Sequence, residues 1–271
     1  MPASAFALVL AAAVLHASWN LLLKTSNDRL FAAAVQSAAG ALLLAPALVA
    51  DGYPVERWGS LAASGALHLG YGLTLIAAYE RGDLSVTYPV ARGTAPLLVG
   101  LGAAVLLDDS PGVWGALGIV LIAGGVFLVA RGRPRGIAWA LACGGFIAGY
   151  SLVDGSAVRT EGGSLRYTAA LLLTNTITLG AIALVRRGPR GLLVAARPMN
   201  RHLFGGAASA IAYLLVLTAA RWAPLGTVAA LRETSVVLGA LAGWRLLGEP
   251  YGASRVLATS IIVIGAFLLL A

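Results

Sequence analysis

The chain has 271 residues, 59% of them hydrophobic and only 11% charged, with 34 glycines and a formal net charge of +8. A soluble domain carries about 25% charged residues, so there is too little polar material here to cover a water-facing globule, and a mean hydropathy of +0.86 points to lipid as the solvent. The basic residues are scattered over short turns, which excludes nucleic acid as a partner and suits the positive-inside rule of membrane proteins.

Apolar runs occur near 4–23, 31–49, 60–79, 84–107, 111–130, 136–154, 166–185, 203–220, 224–247 and 252–270. Each approaches the roughly 20 residues that cross a hydrocarbon core. With no water there to satisfy the backbone, all ten must be helices. The expected fold is an all-α membrane protein of ten transmembrane helices. Span 1 has no Lys or Arg before its apolar stretch and no small-residue cleavage site, so it reads as a retained span and not a signal peptide. It holds His16 and Asn20 at i, i+4, with Trp19 beside them. His16 fits a proton-carrying role or a plain hydrogen bond between helices.

Tyr71 lies in span 3, and a turn after it places Glu80 and Asp83 around Arg81 as an interfacial ion-pair group. Span 4 contains YPVARGTAP (88–96), where Tyr88 and Arg92 stand among two prolines in an otherwise oily run. The prolines predict irregular backbone lining water or substrate. Span 6 carries Cys143, Tyr150 and Asp154, the last either interfacial or facing a cavity. The lone cysteine excludes a disulfide framework or thiolate cluster. Tyr213 falls in span 8. Span 9 holds Arg232, Glu233, a Gly239-x-x-x-Gly243 packing motif and an Arg245–Glu249 pair near its end.

Lys and Arg number twelve in the connections after spans 1, 3, 5, 7 and 9, against four on the other side. That bias predicts a cytoplasmic location for the first group and both termini outside. Shifting the chain by 140 positions lays residues 81–109 on 221–249 without a gap, matching Arg92 to Arg232 and Thr94 to Thr234. Five spans per half, an odd number, force the halves to insert in opposite directions. This inverted repeat places substrate near the midplane. Counting about 1.5 Å per residue puts Arg92 about 12 Å below its face, and Arg232 equally deep from the other side. In a core about 30 Å thick both then reach the midplane. There an arginine costs roughly 2.5–3.5 kcal/mol, so each must face either an anionic cargo or a permanent acidic partner.

HASWNLLLK (16–24), AAYERGDLSVTYPVARGTAPLL (77–98) and ARWAPLGTVAALRETSVVLGALAGWRLLGEP (220–250) resemble the ten-span EamA-type members of the drug/metabolite transporter superfamily. The resemblance implies two five-helix EamA repeats, divided as 1–132 and 133–271, around a cavity walled by spans 1, 3, 4, 6, 8 and 9. Spans 5 and 10 would be peripheral. The first repeat ends in LLDD (106–109) where the second has LLGE (246–249), so Asp109 stands in for Glu249 if that acid caps the following helix.

HExxH, GxSxG and Walker A signatures are missing, and His16, His68 and His202 share no spacing, so no enzyme activity and no metal site is expected. The expected function is a secondary active transporter, an exporter in a bacterial-type inner membrane, moving small polar or amphipathic metabolites by alternating access. Amino-acid-like or other anionic or zwitterionic cargo is the first reading. A quaternary-amine or drug exporter and a lipid-carrier flippase are the alternatives. The expected substrate contacts are His16, Trp19, Asn20, Tyr71, Tyr88, Arg92, Tyr150, Tyr213, Arg232 and Glu233. No cofactor is expected, proton coupling is an option, and the partners are membrane lipid and a small molecule, with oligomeric state left open.

Overall fold

The computed structural model describes all residues except 25, 27, 83, 130–134, 160–162, 196–198, 239–252 and 271. Ten α-helices and one short 3-10 turn (Val55–Arg57) run through them: α1 Ala3–Lys24, α2 Arg29–Asp51, α3 Trp58–Arg81, α4 Leu84–Leu106, α5 Gly112–Val129, α6 Ile137–Arg159, α7 Ser164–Ala195, α8 Met199–Ala219, α9 Leu225–Arg232 and α10 Ala253–Leu268. Among the described residues six helices are long and apolar enough to cross a membrane, and α5 and α10 are apolar but shorter. The burial pattern is that of a protein dissolved in lipid. Leu42, Val49, Val113 and Val185 are each more than 70% exposed. Arg92, Asp154, Arg232, Glu233 and Gln36 are buried. Polar groups turn inward because the outer solvent offers them nothing.

The ten helices form two inverted five-helix repeats, and they interleave. α1 packs on α8, α3 on α6, α2 on α7, α4 on α9 and α5 on α10, so most packing crosses between repeats. Glycines show the two-fold relation directly. Gly118 of α5 faces the carbonyl oxygen of Gly265, and Gly125 faces that of Ala258 on α10. Adding 140 to 118 and 125 gives 258 and 265, so Gly118 meets the counterpart of Gly125 and Gly125 meets the counterpart of Gly118, as an isologous contact requires. The pairing runs 118 to 265 and 125 to 258, which makes α5 and α10 antiparallel. That is the inversion the odd span count demands.

Span 7 ends close to where the sequence placed it: its apolar span is Ser164–Arg186, and Gly188, with φ of 67° and ψ of 170°, breaks the helix before a second short helix continues to Ala195. Glycine tolerates that left-handed turn, and Pro189 restarts the chain. Two other expectations are corrected. Span 4 is not broken, since α4 runs from Leu84 to Leu106 with Pro89 and Pro96 inside it. Each proline removes a single N–H, and the remaining bonds have no water to turn to, so the helix persists. Asp109 does not cap the helix that follows it. Its Oδ2 accepts the backbone N–H of Leu225 at 2.8 Å, at the start of α9 in the other repeat. The Gly239–Gly243 motif, Arg245, Glu249 and Asp83 lie outside the described residues. Arg81 and Glu80 pair at 3.6 Å at the surface.

Candidate functional site

α4 and α9 cross antiparallel at the centre of the bundle. A Cβ at Gly226 would lie 2.6 Å from the Cα of Gly100, so Gly226 must lack a side chain for the backbones to meet. That close approach carries Arg92 to Glu233 further along: Arg92 Nε donates to Glu233 Oε2 at 2.7 Å. Arg232 Nε stands 3.8 Å from Glu233 Oε1, an ion pair without a hydrogen bond. Arg92 and Arg232 are 5% exposed and Glu233 is 0% exposed, so this triad is out of solvent. Two guanidiniums share one carboxylate.

The backbone yields at the same place. α9 stops at Arg232, and the N–H groups of Glu233 and Thr234 donate to the carbonyls of Ala230 and Leu231, three residues back, at 2.9 and 3.1 Å. Helix resumes over 235–238. Such a tightened turn inside a helix marks sites where geometry is set for something other than length. The irregularity that the prolines predicted for span 4 therefore sits in span 9.

The triad also breaks the repeat symmetry. Counterparts of Arg232 and Glu233 in the first half are Arg92 and Gly93. A Cβ at Gly93 would lie 3.2 Å from the Phe127 ring and 3.3 Å from the Ala123 carbonyl oxygen, so a second glutamate there would have to push both aside. As a result, hydrogen-bonding capacity is left over. Arg92 Nη2, Arg232 Nε and Nη2, and Glu233 Oε1 are buried with no hydrogen-bond partner. Each buried orphan costs about 1–3 kcal/mol.

Aromatic side chains surround this point. Tyr88, Tyr150 and Tyr71 lie within electrostatic reach of Arg92, and Tyr150 and Tyr213 within reach of Arg232. Tyr150 is the hub: its ring centroid lies 6.1 Å from that of Tyr71 and 6.5 Å from that of Tyr213. His16, on α1, lies within reach of both arginines, with the Trp19 ring edge-on to it at 5.0 Å. Asn20, one turn on from His16, donates Nδ2 to the His16 carbonyl at 2.8 Å. The other nine expected contacts gather in one central region. They come from α1, α3, α4, α6, α8 and from residues 225–233, while α5 and α10 contribute none.

Two residues were not among the expected contacts. Asp154 of α6 is fully buried and accepts from Tyr167 OH at 2.7 Å and from Tyr213 OH. His68 of α3 stacks on Tyr150 at 4.0 Å and bonds the Ser64 carbonyl through Nδ1 at 2.9 Å. The signal for Asp154 was present as Tyr150 and Asp154 at i, i+4, which share one face of span 6. His68 has no comparable pattern, because its partners come from other helices. A small cavity of about 20 Å³ lies between Tyr213 and Arg232, bordered by Ser151 and Gly155. It has room for about one water.

A family model described as the EamA-like transporter family matches residues 3–131 and again 134–271. A solved crystal structure is 19% identical and superposes with a TM-score of 0.80, the match covering 99% of this chain and 96% of the other. At that identity the likeness concerns the fold. No curated protein sequence matches.

Proposed function

The chain belongs to the EamA-like transporter family, and from that premise we propose that it exports small anionic or zwitterionic metabolites by alternating access. The carrying observation is the excess of guanidinium over carboxylate at the centre: Arg92 and Arg232 share Glu233 and keep three buried donor nitrogens without partners. A planar, forked guanidinium matches the two oxygens of a carboxylate or phosphate. A cargo anion placed between them would satisfy those donors, while Glu233 Oε1, which accepts no hydrogen bond, would meet an ammonium group.

The moving bodies in this reading are the cross-repeat pairs α1–α8 and α3–α6, and not residues 1–132 against 133–271, because packing crosses between the repeats. They would rock about the shared pairs α2–α7 and α5–α10, exposing the centre to each face in turn. The bias of Lys and Arg supports a cytoplasmic membrane with both termini outside.

The aromatic group of Tyr71, Tyr150, Tyr213 and His68 favours a second reading, a quaternary-amine exporter binding through ring faces. One experiment separates them. Purified protein is melted with amino acids, organic acids, organophosphates or quaternary amines, since ligands bound to the native form raise the melting temperature. Stabilisation by carboxylates that is lost in Arg232→Ala supports the anion reading. Stabilisation by quaternary amines alone, unchanged in Arg232→Ala, rejects it.

A further inference from the structure

Among the described residues the buried charged side chains other than His202 are Arg92, Arg232, Glu233 and Asp154. Counted at their ordinary charges, two are cationic and two anionic, so the empty centre sums to neutral. A carboxylate cargo entering alone would leave it one negative charge in excess in a low-dielectric interior, which is expensive. One of the two acids must then be able to take a proton. Glu233 is bonded directly to a guanidinium, Arg92 Nε to Oε2 at 2.7 Å. Asp154 is held by neutral hydroxyls, those of Tyr167, Tyr213 and Ser64, with no guanidinium bonded to it.

We propose that Asp154 is the coupling site: when a carboxylate binds between Arg92 and Arg232, Asp154 takes up one proton, and the two cross together. This rests on the anionic-cargo reading above. The proton comes from the aqueous phase and forms an O–H on the Asp154 carboxyl. It leaves when the anion leaves, so the loaded and empty centres carry the same charge. Tyr213 is the link, donating to Asp154 while lining the cavity that Arg232 also borders. Groups facing the carboxyl from neighbouring helices are Ser64 and His68 of α3, Tyr167 of α7 and Tyr213 of α8. Arg232 reaches His68 and Tyr213 from α9, and Arg92 reaches Tyr150 from α4.

The test uses purified full-length protein, lightly buffered with a pH-indicator dye, titrated with acetate, L-lactate, succinate and L-leucine. Wild type is expected to take up one proton per monocarboxylate bound, and its affinity to fall about tenfold per pH unit above the titration of Asp154. Asp154→Asn, which keeps the shape, should bind with no proton uptake and a flat pH profile. Tyr213→Phe removes a donor to the charged form, so the fall should begin at higher pH. Equal uptake by Asp154→Asn would assign the proton to His68 or His16 and overturn the proposal. Binding without uptake in wild type would overturn it while sparing the anion reading. Failure of every carboxylate to bind folded wild type would remove the anion reading itself, and this proposal with it.

Discussion

Arg159 Nη2 lies 3.0 Å from Asp109 Oδ2, across the repeat boundary at one membrane face. The same carboxylate oxygen accepts the Leu225 N–H. Arg159 Nε and Nη2 also donate to the Ala220 and Ala223 carbonyls at 2.8 and 2.7 Å. One ion pair therefore ties the end of α4, the end of α6 and the turn into α9, closing the bundle on that face. Arg166 and Glu56 add a second pair at 2.6 Å on the same side.

Asp109→Asn should loosen this closure. It removes the charge that holds Arg159 and weakens the bond to Leu225, a loss of about 1–2 kcal/mol. The melting temperature should drop. A cysteine placed at Ser151, on the cavity wall, should react faster with an impermeant maleimide applied from that face. An unchanged labelling rate would show that the pair does not close the site.

Glu233→Gln should be the most harmful single change at the centre. It leaves two buried guanidiniums without a counter-charge, a loss of roughly 3–5 kcal/mol. Arg92→Ala in the Glu233→Gln background should recover part of that loss, because the two groups are bonded directly. A double-mutant cycle read by thermal melting checks it. Strict additivity would mean that the pair does not interact in the folded protein.

Packing of α5 on α10 makes a prediction with an internal control. A Cβ at Gly118 would lie 2.5 Å from Leu269 Cδ2 and 2.8 Å from the Gly265 carbonyl oxygen, whereas one at Gly124 meets nothing within 4 Å. Gly118→Val should destabilise by about 1–3 kcal/mol through overpacking. Gly124→Ala on the same helix should be neutral, or stabilising by up to about 1 kcal/mol. Comparable melting temperatures for the two variants would argue against this packing.

Cys143 is 0% exposed, in the core shared by α3, α4 and α6. As the chain's one cysteine, it is a native reporter. Thiol reagents should leave it unmodified in the folded protein and label it stoichiometrically after denaturation. Rapid labelling under native conditions would show that α6 separates readily from α3 and α4.

Much of this site could be read from composition and register. Membrane embedding, the helical repeat and the depth of Arg92 and Arg232 follow from run length and the 140-residue shift. The tyrosines stood out because polar rings are costly among Leu and Ala. The partner of Arg92 was harder to see. Glu233 adjoins Arg232 in the chain, yet its hydrogen bond goes to an arginine 141 positions away. Neighbours on a helix point about 100° apart, so adjacency said little. The prolines also misled, since the break falls at 233–234, where no residue type announces it.

The chain alone determined what must be buried and in which periodicity, because the cost of exposing a peptide group or a guanidinium to lipid depends on residue type and depth, not on neighbours. Which charges meet was decided only by tertiary packing. The Gly100–Gly226 crossing sets how far α4 and α9 slide past each other, and that register selects Arg92 for Glu233 and leaves the donors of Arg232 unfilled. Interleaving had the same origin: at Gly118, Gly125, Gly206 and Gly226 a Cβ would lie within 3 Å of a helix of the other half, so these glycines let the halves interlock. Ion pairs and close contacts act over a few ångströms between distant segments, so they belong to the fold rather than to any stretch of the chain.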